Sequence, residues 1–349
     1  MPATRLRILY LTDSRHGRDA WHDPSARHRC FHYADALATT GVTALVGTLD
    51  SVTRRRLRGF DHIIFHRPKY TSRFRSVLRM CLAEGATLHA DYDDLIFNPQ
   101  FAEQSPLYIN GNRPLQKVRD YFELNYQAAE CFDRALISTR YLAEKFQSLW
   151  PEADLTVLPN SLPRLFQPPR PTSAAMPDTG FTIGYFPGSG SHKHDMMMIR
   201  DVLVSFFADF PSARLLIAGR MSQQGLESIA SNTSYLPYCD YNNYLCALSH
   251  VDLSIAPLQN NVFNHSKSAV KLIESVSVGT PILSSANQDM RDHDNEMSTI
   301  AESLSDWDCA LRDAASGCQQ YSLIAGQLAE RFSVRSRLPV LQEHMLCAA

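Results

Sequence analysis

Short apolar runs alternate with longer amphipathic segments along most of the chain. Residues 7–12 (RILYLT), 61–65 and 134–138 have the length and apolar composition of buried strands. Residues 25–40 instead repeat their apolar positions every three to four residues, which predicts a helix. Further strands are predicted over 42–46, 87–91 and 155–158, and further helices over 73–83, 115–132 and 140–149.

The same alternation begins again near residue 181. Strands are predicted over 181–186, 214–218, 251–256 and 281–284, and helices over 195–210, 243–249 and 267–278, with terminal helices within 320–346. The two alternating halves are separated by six prolines between Pro159 and Pro177. Proline lacks a backbone donor and restricts its neighbour, so this stretch is predicted to be a linker and not packed helix or central strand.

This organisation predicts an α/β protein with two doubly wound, Rossmann-like domains that face a cleft. The predicted domains are residues 1–160 and 181–329, joined by a linker over 161–180. Ligands of such sheets bind at the carboxyl ends of the strands, which places the expected site in the cleft.

Composition narrows the class of protein. The 349 residues are 44% hydrophobic and 20% charged, which is ordinary for a globular chain and excludes collagen, disorder and coiled coil as the main architecture. Eight scattered cysteines form no C-x-x-C motif, which fits reduced thiols and a cytoplasmic setting. No apolar run reaches about 18 residues and no N-terminal signal-like segment is present, so we expect no membrane span.

Charge is distributed unevenly along the chain. Residues 1–79 hold 15 Lys and Arg against 6 Asp and Glu, whereas the whole chain has a net charge of −2. The densest basic run is Arg54, Arg55, Arg56 and Arg58. It predicts either a solvated helix face or a patch for an anionic membrane surface or a lipid-linked phosphate, at the inner face of the membrane. A nucleic-acid partner is not expected.

The segment with the most informative spacing is residues 257–282. A helix is predicted to begin near Ser266, so its amide groups and partial positive charge would favour an anion. Lys267, Lys271 and Glu274 would share one face of that helix. Amides, two ammonium groups and a carboxylate in this order suit a nucleotide diphosphate and its ribose. A solvent-exposed Lys271–Glu274 pair is the alternative.

Two further segments carry candidate chemistry. Residues 183–195 (IGYFPGSGSHKHD) place glycines directly after a predicted strand, although they form neither a G-x-G-x-x-G motif nor a P-loop. Residues 89–99 place Asp91, Asp93 and Asp94 after another strand. These carboxylates predict a general base or a contact to an acceptor hydroxyl, or else a turn and helix cap.

Taken together, these segments resemble the GT-B-fold glycosyltransferases of the family 4 type, and within them a bacterial surface-polysaccharide branch. The matching segments are 25–29 (SARHR), 92–99 (YDDLIFNP), 159–162 (PNSL), 183–195 and 263–282 (FNHSKSAVKLIESVSVGTPI). The resemblance implies transfer of a sugar from a nucleotide-diphosphate sugar to a glycan or lipid-linked acceptor, with retention. It also implies that residues 1–160 bind the acceptor, that residues 181–329 bind the donor, and that residues 330–349 return to the first domain.

The resemblance also assigns residues. Glu274 corresponds to the second glutamate of the family's E-x7-E motif, which binds ribose, whereas Ser266 replaces the first glutamate. The residues expected to act in catalysis are Lys267, Lys271, Asp91 and His66, the last facing the acceptor. The residues expected to bind the donor are Gly188, Gly190, His192, Lys193, Asp195, Ser266, Ser268 and Glu274.

The resemblance implies neither a metal ion nor a cofactor. Asp91 and Asp93 form a D-x-D, but it lies in the first half of the chain, away from the predicted nucleotide site. Two alternatives stay open. The replacement of a glutamate by Ser266 favours a non-catalytic partner subunit with the same fold. A sugar-nucleotide epimerase would need a set of acids near the sugar that the sequence does not identify.

Overall fold

The computed structural model describes residues 6–14, 16–167, 180–188, 193–221, 224–317 and 322–346. These residues form two α/β lobes, each built on a parallel sheet. The first sheet contains β1 (Arg7–Thr12), β2 (Thr43–Thr48), β3 (His62–His66), β4 (Thr87–Tyr92), β5 (Arg134–Ile137) and β6 (Asp154–Val157). Its strand order is β2-β1-β3-β4-β5-β6, so the order reverses between β1 and β3.

The second sheet contains β7 (Thr182–Gly188), β8 (Arg214–Gly219), β9 (Thr233–Leu236), β10 (Leu253–Ala256), β11 (Ile282–Ser285) and β12 (Ser298–Ala301). Its order is β12-β11-β10-β7-β8-β9, with the reversal between β7 and β10. The predicted α/β fold with two doubly wound sheets is therefore confirmed. Sequence analysis missed β9 and β12, which are short edge strands with alternating exposure.

Helices connect the strands of both sheets. They are α1 (Pro24–Ala26), α2 (His32–Ala38), α3 (Arg54–Leu57), α4 (Ser72–Ala83), α5 (Pro106–Ile109), α6 (Leu115–Ala129), α7 (Arg140–Gln147), α8 (Lys193–Met197), α9 (Arg200–Asp209), α10 (Tyr241–Leu248), α11 (Val262–His265), α12 (Val270–Ser277), α13 (Gln288–Asp292), α14 (Leu304–Ser316), α15 (Ser322–Arg331) and α16 (Leu338–Leu346). Gly41 and Gly85 follow α2 and α4 with φ of 89° and 76°, conformations that glycine adopts without strain.

Three helices differ from their predicted bounds, two because they are interrupted and one because it begins later. The helix predicted over 25–40 contains a π-helical turn at Arg27–Phe31 between α1 and α2. The helix predicted over 195–210 is divided into α8 and α9. The helix predicted over 267–278 begins only at Val270, with α11 before it.

The chain crosses between the lobes twice. Leu162 and Ser333 form an isolated parallel bridge, and Val334 donates its N–H to the carbonyl of Leu162 at 2.9 Å. After this crossing, α16 buries Leu341 and Met345 in the same apolar cluster as β1 of the first lobe. Residues 168–179 of the predicted linker lie outside the described residues.

Candidate functional site at the junction of the lobes

The expected phosphate-binding segment differs from its prediction at the helix start. Because α12 begins at Val270, Lys267 lies in the loop before the helix and Lys271 lies in the first turn. The backbone N–H of Ala269, at the start of α12, donates to a carboxylate oxygen of Asp289 at 2.6 Å. The predicted start near Ser266 is therefore wrong, and this amide is occupied by the chain's own carboxylate.

Lys271 is nevertheless placed as a candidate anion ligand. Its side chain is half-buried, with Nζ 5.4 Å from the centroid of the Tyr185 ring in β7. Burial lowers the pKa of Lys271 to about 8, and the positive charge of Lys267 adds to the decrease, whereas Asp195 opposes it. A bound anion would relieve both unfavourable effects.

Asp195 organises the loop that follows β10. It is buried, and its Oδ1 accepts the backbone N–H of Gln259 at 2.9 Å and the side-chain amide of Asn264 at 3.2 Å. These bonds hold the loop between β10 and α12, so Asp195 positions that loop. A direct contact to the donor, as the resemblance implies, stays a prediction.

The glycine-rich turn is described only in part. Gly188 ends β7, and Lys193 begins α8 with its Nζ donating to Gln224 Oε1 at 2.7 Å. The predicted donor-binding residues Gly190 and His192 lie outside the described residues.

Ser266 and Ser268 connect this loop to the first lobe and to residues 159–162, where the chain first crosses between the lobes (the crossing segment). Ser266 is buried, and its carbonyl accepts a bond from Thr139 Oγ1 at 3.3 Å. Ser268 Oγ accepts the side-chain amide of Asn160 at 2.8 Å. Ser266 thus contacts the first lobe through its backbone and Ser268 contacts Asn160 through its side chain, and the role of both in donor binding stays a prediction.

Glu274 lies one turn after Lys271 on α12 and is only 4% exposed. Its Oε2 accepts the hydroxyl of Tyr244 at 2.9 Å, and its Oε1 lies 3.2 Å from His28 Nε2 in the first lobe. Burial alone would raise the pKa of Glu274, but His28 and the charge of Arg27 outweigh it and hold the pKa below its usual value. The carboxylate is therefore kept ionised.

The π-helical turn of the first lobe brings two further residues to Glu274. His28 Nδ1 lies 3.0 Å from the carbonyl of Ser161 in the crossing segment. The Arg27 guanidinium lies over the Tyr241 ring, 3.9 Å from its centroid. Sequence analysis gave Arg27, His28 and Tyr244 no role, although the segment 25–29 was among those that carried the resemblance.

His66 lies at the carboxyl end of β3, beside the reversal point of the first sheet. It is 3% exposed; its Nδ1 lies 2.9 Å from Thr12 Oγ1, and its Nε2 lies 2.8 Å from Ser25 Oγ. Ser25 in turn donates to Asp93 Oδ2 at 2.6 Å. His66 thus belongs to a buried network at the cleft edge of the first lobe.

Asp93 is the carboxylate of that network. Arg67 Nε contacts Asp93 Oδ1 at 2.5 Å, and Arg67 Nη2 contacts Asp94 Oδ2 at 2.7 Å. Burial disfavours the charge of Asp93, yet Arg67 and His66 hold its pKa well below the usual range. Arg67 has a φ of 48°, an unusual backbone conformation for a residue with a side chain, and such strain is concentrated at functional sites.

Asp91, a predicted catalytic residue, is paired with an arginine inside the first lobe. Its carboxylate is 1% exposed and forms a two-pronged ion pair with Arg29, at 3.1 Å and 3.2 Å from Nε and 2.6 Å from Nη2. Arg29 also donates to the carbonyl of Leu158. Both carboxylate oxygens of Asp91 are thus engaged by Arg29, which favours a structural role for this pair. The catalytic role that the sequence analysis gave Asp91 stays a prediction, and the carboxylate that lies beside His66 is that of Asp93.

Within the described ranges, no three histidine, cysteine, aspartate or glutamate side chains converge as ligands for a metal ion. No described helix combines the length and the apolar character that a membrane crossing needs.

Comparison with known proteins supports the class of fold. Neither protein-family models nor curated protein sequences match the chain. Among solved structures, sucrose-phosphate synthase from Thermosynechococcus elongatus matches 99% of this chain and 100% of that chain, with a TM-score of 0.63 and 13% identity. HepE from Anabaena, solved with UDP and glucose, matches 99% of this chain and 98% of that chain, with a TM-score of 0.63 and 12% identity.

A longer structure shows the same similarity over part of its length. The pneumococcal O-GlcNAc transferase GtfA, solved with UDP and GlcNAc, matches 84% of this chain with a TM-score of 0.54 and 14% identity. This chain spans 58% of the length of that protein. The architecture of the chain is thus the GT-B fold of glycosyltransferases.

Proposed function

We propose that this protein is a glycosyltransferase of the family 4 type. It transfers a sugar from a nucleotide-diphosphate sugar to a glycan or lipid-linked acceptor, with retention, in bacterial surface-polysaccharide synthesis. The observation that carries the proposal is the placement of Lys271 and Glu274 one turn apart on α12, at the junction of the lobes. The GT-B fold and the presence of UDP and glucose in the similar HepE structure support the donor class.

The chemistry of the donor side is electrostatic. The ammonium groups of Lys267 and Lys271 stabilise the negative charge that develops on the leaving diphosphate. Desolvation makes each charge more effective than it would be in water. Glu274, kept ionised by its surroundings, accepts hydrogen bonds from the ribose hydroxyls. Lys193 is proposed as a third cation near the phosphates.

The acceptor side belongs to the first lobe. His66 and Asp93 form a hydrogen-bonded pair through Ser25 at the carboxyl edge of the sheet. In the proposed reaction this network orients the acceptor opposite the donor. Retention of anomeric configuration and the absence of a metal requirement follow from the family resemblance and stay proposals.

A donor screen tests the proposed function. UDP-, GDP- and dTDP-sugars are offered with a lipid-linked or glycan acceptor, and release of the nucleoside diphosphate is followed. Glu274→Gln is expected to lose most turnover, because the amide has one acceptor oxygen where the carboxylate has two and carries no charge. Thermal unfolding of the variant separates this loss from a loss of stability, since Glu274 is buried between His28 and Tyr244. Glu123→Gln, on the surface of α6, serves as the matched control. Wild-type turnover in Glu274→Gln would remove this assignment.

Exposed arginines on α3, directly after α3 and on α4 define an arginine surface on the first lobe. It consists of Arg54, Arg55, Arg56, Arg58, Arg75 and Arg79. Glu84 pairs with Arg54 at 2.9 Å and lies 3.9 Å from Arg58, which leaves a net positive charge. We propose that this arginine surface contacts an anionic membrane that holds the acceptor. Sedimentation with phosphatidylglycerol vesicles at low salt should decrease for Arg55→Glu and Arg79→Glu, and unchanged sedimentation would contradict the contact.

A non-catalytic partner subunit is the second candidate, and the involvement of Glu274 with His28 and Tyr244 favours it. Thermal shift with UDP, GDP and dTDP distinguishes the two. A nucleotide at one hundred times its Kd stabilises the folded state by about 2.7 kcal/mol. Lack of stabilisation by all three nucleotides would favour the partner subunit.

A further inference from the structure

A cavity of about 200 Å³ lies beside the crossing segment, between α7 of the first lobe and α13 of the second. Its charged and titratable lining residues, which define the crossing pocket, are Arg140, Arg331, Arg337, Asp289, Asp292 and His293. We propose that the crossing pocket binds hydrogen phosphate or the phosphate group of a small phosphomonoester. The described lining includes neither Lys271 nor Glu274, so this site is separate from the proposed donor site and does not depend on the proposed function.

Two arginines of the crossing pocket are available as donors. The Arg337 Nε is buried and has no hydrogen-bond partner among the described residues. The Arg331 guanidinium lies 5.3 Å from the ring centroid of Phe332. Neither arginine forms an ion pair with a carboxylate in the part of the chain that the structure describes. A buried donor without an acceptor is unfavourable, and an anion in the pocket supplies the acceptor.

The aspartates of the crossing pocket are bound mainly by other groups of the chain. Asp289 Oδ2 accepts the backbone N–H of Ala269 at 2.6 Å, and Asp292 Oδ1 accepts the side-chain amide of Gln288 at 2.9 Å. Asp292 Oδ2 lies 3.7 Å from Arg140 Nε, which is longer than a hydrogen bond. Because three arginines line the pocket against two aspartates, its net charge is positive and favours an anion.

The pocket also has acceptors for a hydroxyl of the ligand. His293 Nδ1 lies 2.8 Å from the backbone carbonyl of Asp289, so the neutral ring donates from Nδ1 and keeps Nε2 as an acceptor. Asp292 Oδ2 is a second acceptor. Near neutral pH, hydrogen phosphate carries one hydroxyl together with its anionic oxygens, whereas sulfate carries no hydroxyl. The combination of guanidinium donors and these acceptors therefore favours phosphate over sulfate.

The volume of the crossing pocket limits the size of its ligand. Pockets for drug-sized ligands measure about 300–1,000 Å³, so a cavity of about 200 Å³ suits a single phosphate group with a small substituent. Guanidinium groups bind such a group through pairs of parallel hydrogen bonds.

The experiment is a calorimetric titration of inorganic phosphate into the full chain, with sulfate and glycerol 3-phosphate as separate arms. We expect the wild type to bind phosphate about tenfold more tightly than sulfate. Arg337→Gln and Arg331→Gln should each weaken phosphate binding about tenfold, because each removes a charged donor. Arg335→Gln should keep the wild-type Kd, since Arg335 is exposed in the same turn as Arg337 but does not line the pocket.

Two further measurements keep the test decisive. Thermal unfolding checks that each variant folds, and the exposed Arg331 carries the test if Arg337→Gln does not fold. Asp292→Asn should reduce the preference for phosphate over sulfate, because the amide can donate to a sulfate oxygen whereas the carboxylate cannot.

The outcomes are distinct. Failure of the folded wild type to bind phosphate and glycerol 3-phosphate, or a wild-type Kd in both Arg331→Gln and Arg337→Gln, would overturn the site. Sulfate binding as tight as phosphate binding would overturn the ligand class. Loss of phosphate binding in Lys271→Met but not in Arg331→Gln would place the ion at the proposed donor site instead.

The third arm identifies the source of the phosphate group. Tighter binding of glycerol 3-phosphate than of inorganic phosphate supports the site with a phosphomonoester as its ligand, and the reverse order supports it with free phosphate. No arm contains a nucleotide, so failure of the crossing pocket leaves the glycosyltransferase proposal standing.

Discussion

His28 Nε2 lies 3.2 Å from Glu274 Oε1, which joins two residues that are 246 positions apart and belong to different lobes. The contact places the first lobe directly on the carboxylate that the family resemblance assigns to the nucleotide. A ribose bound by Glu274 as proposed would therefore lie next to the first lobe as well as the second.

The lowered pKa of Lys271 predicts how nucleotide binding depends on pH. Its pKa is lowered to about 8, so the free protein loses this positive charge as the pH increases through 8. A diphosphate binds the charged form more strongly, so its affinity should be nearly constant below pH 7 and decrease by up to tenfold per pH unit above 8. Titrations of UDP between pH 6.5 and 9.5 measure this.

Lys271→Arg should move the decrease out of this range, because the guanidinium stays protonated. The same decrease in both proteins would show that another group titrates.

The Arg29–Asp91 pair predicts a structural effect of substituting Asp91. Asp91→Asn leaves the guanidinium buried without its counter-ion and should reduce the free energy of unfolding by about 3–5 kcal/mol. Asp94→Asn, which removes a more exposed partner of Arg67, should cost clearly less. Urea unfolding compares the two. A stable Asp91→Asn protein without turnover would instead support the general-base role.

A chain of three histidines predicts acid sensitivity of the first lobe. His62 Nδ1 lies 3.0 Å from His89 Nε2, and His89 Nδ1 lies 3.0 Å from His344 Nε2 on α16, whose Nδ1 contacts Thr156. Burial lowers the pKa of all three, to about 2 for His89 and about 4 for His344, with a further decrease from Arg134. Asp61 and Asp154 oppose this for His62 and His344 respectively.

The direction in which pH changes the free energy of unfolding follows from proton uptake by these histidines. Below about pH 6.5 the unfolded chain protonates these histidines and the folded chain does not, so stability is complete above that pH and decreases with acidification. Each histidine contributes a loss of about 1.4 kcal/mol per pH unit until its folded pKa is reached. Urea unfolding from pH 7.5 to 4.5 should show a smaller slope for His89→Leu than for the wild type. The exposed His22→Gln is the control, and equal slopes in all three proteins would contradict the account.

The local features of the fold could be predicted from the sequence. The apolar run at Arg7–Thr12 gave β1 with the correct bounds, since a buried strand needs only a short continuous apolar segment. The start of α12 could not be predicted from the sequence, because Asp289, twenty positions later, binds the amide of Ala269. No pattern within a window of 15 residues reports such a contact.

The candidate site, like the fold, could be predicted from the sequence only in part. Lys271 and Glu274 could be paired from helical spacing alone. The partners of Asp91 and Glu274 lie 62 and 246 positions away, and nothing in the sequence indicated that one carboxylate is buried with Arg29 and the other with His28. The roles of both acids therefore depend on tertiary structure.

The most direct test of the central claim is calorimetry with UDP and with uridine on the wild type and on Lys271→Met. A diphosphate held by Lys271 predicts that UDP binds the wild type far more tightly than uridine does. It also predicts that Lys271→Met weakens UDP at least tenfold and leaves uridine unchanged. Equal UDP affinity in the two proteins, or no UDP binding by the wild type, would contradict the account.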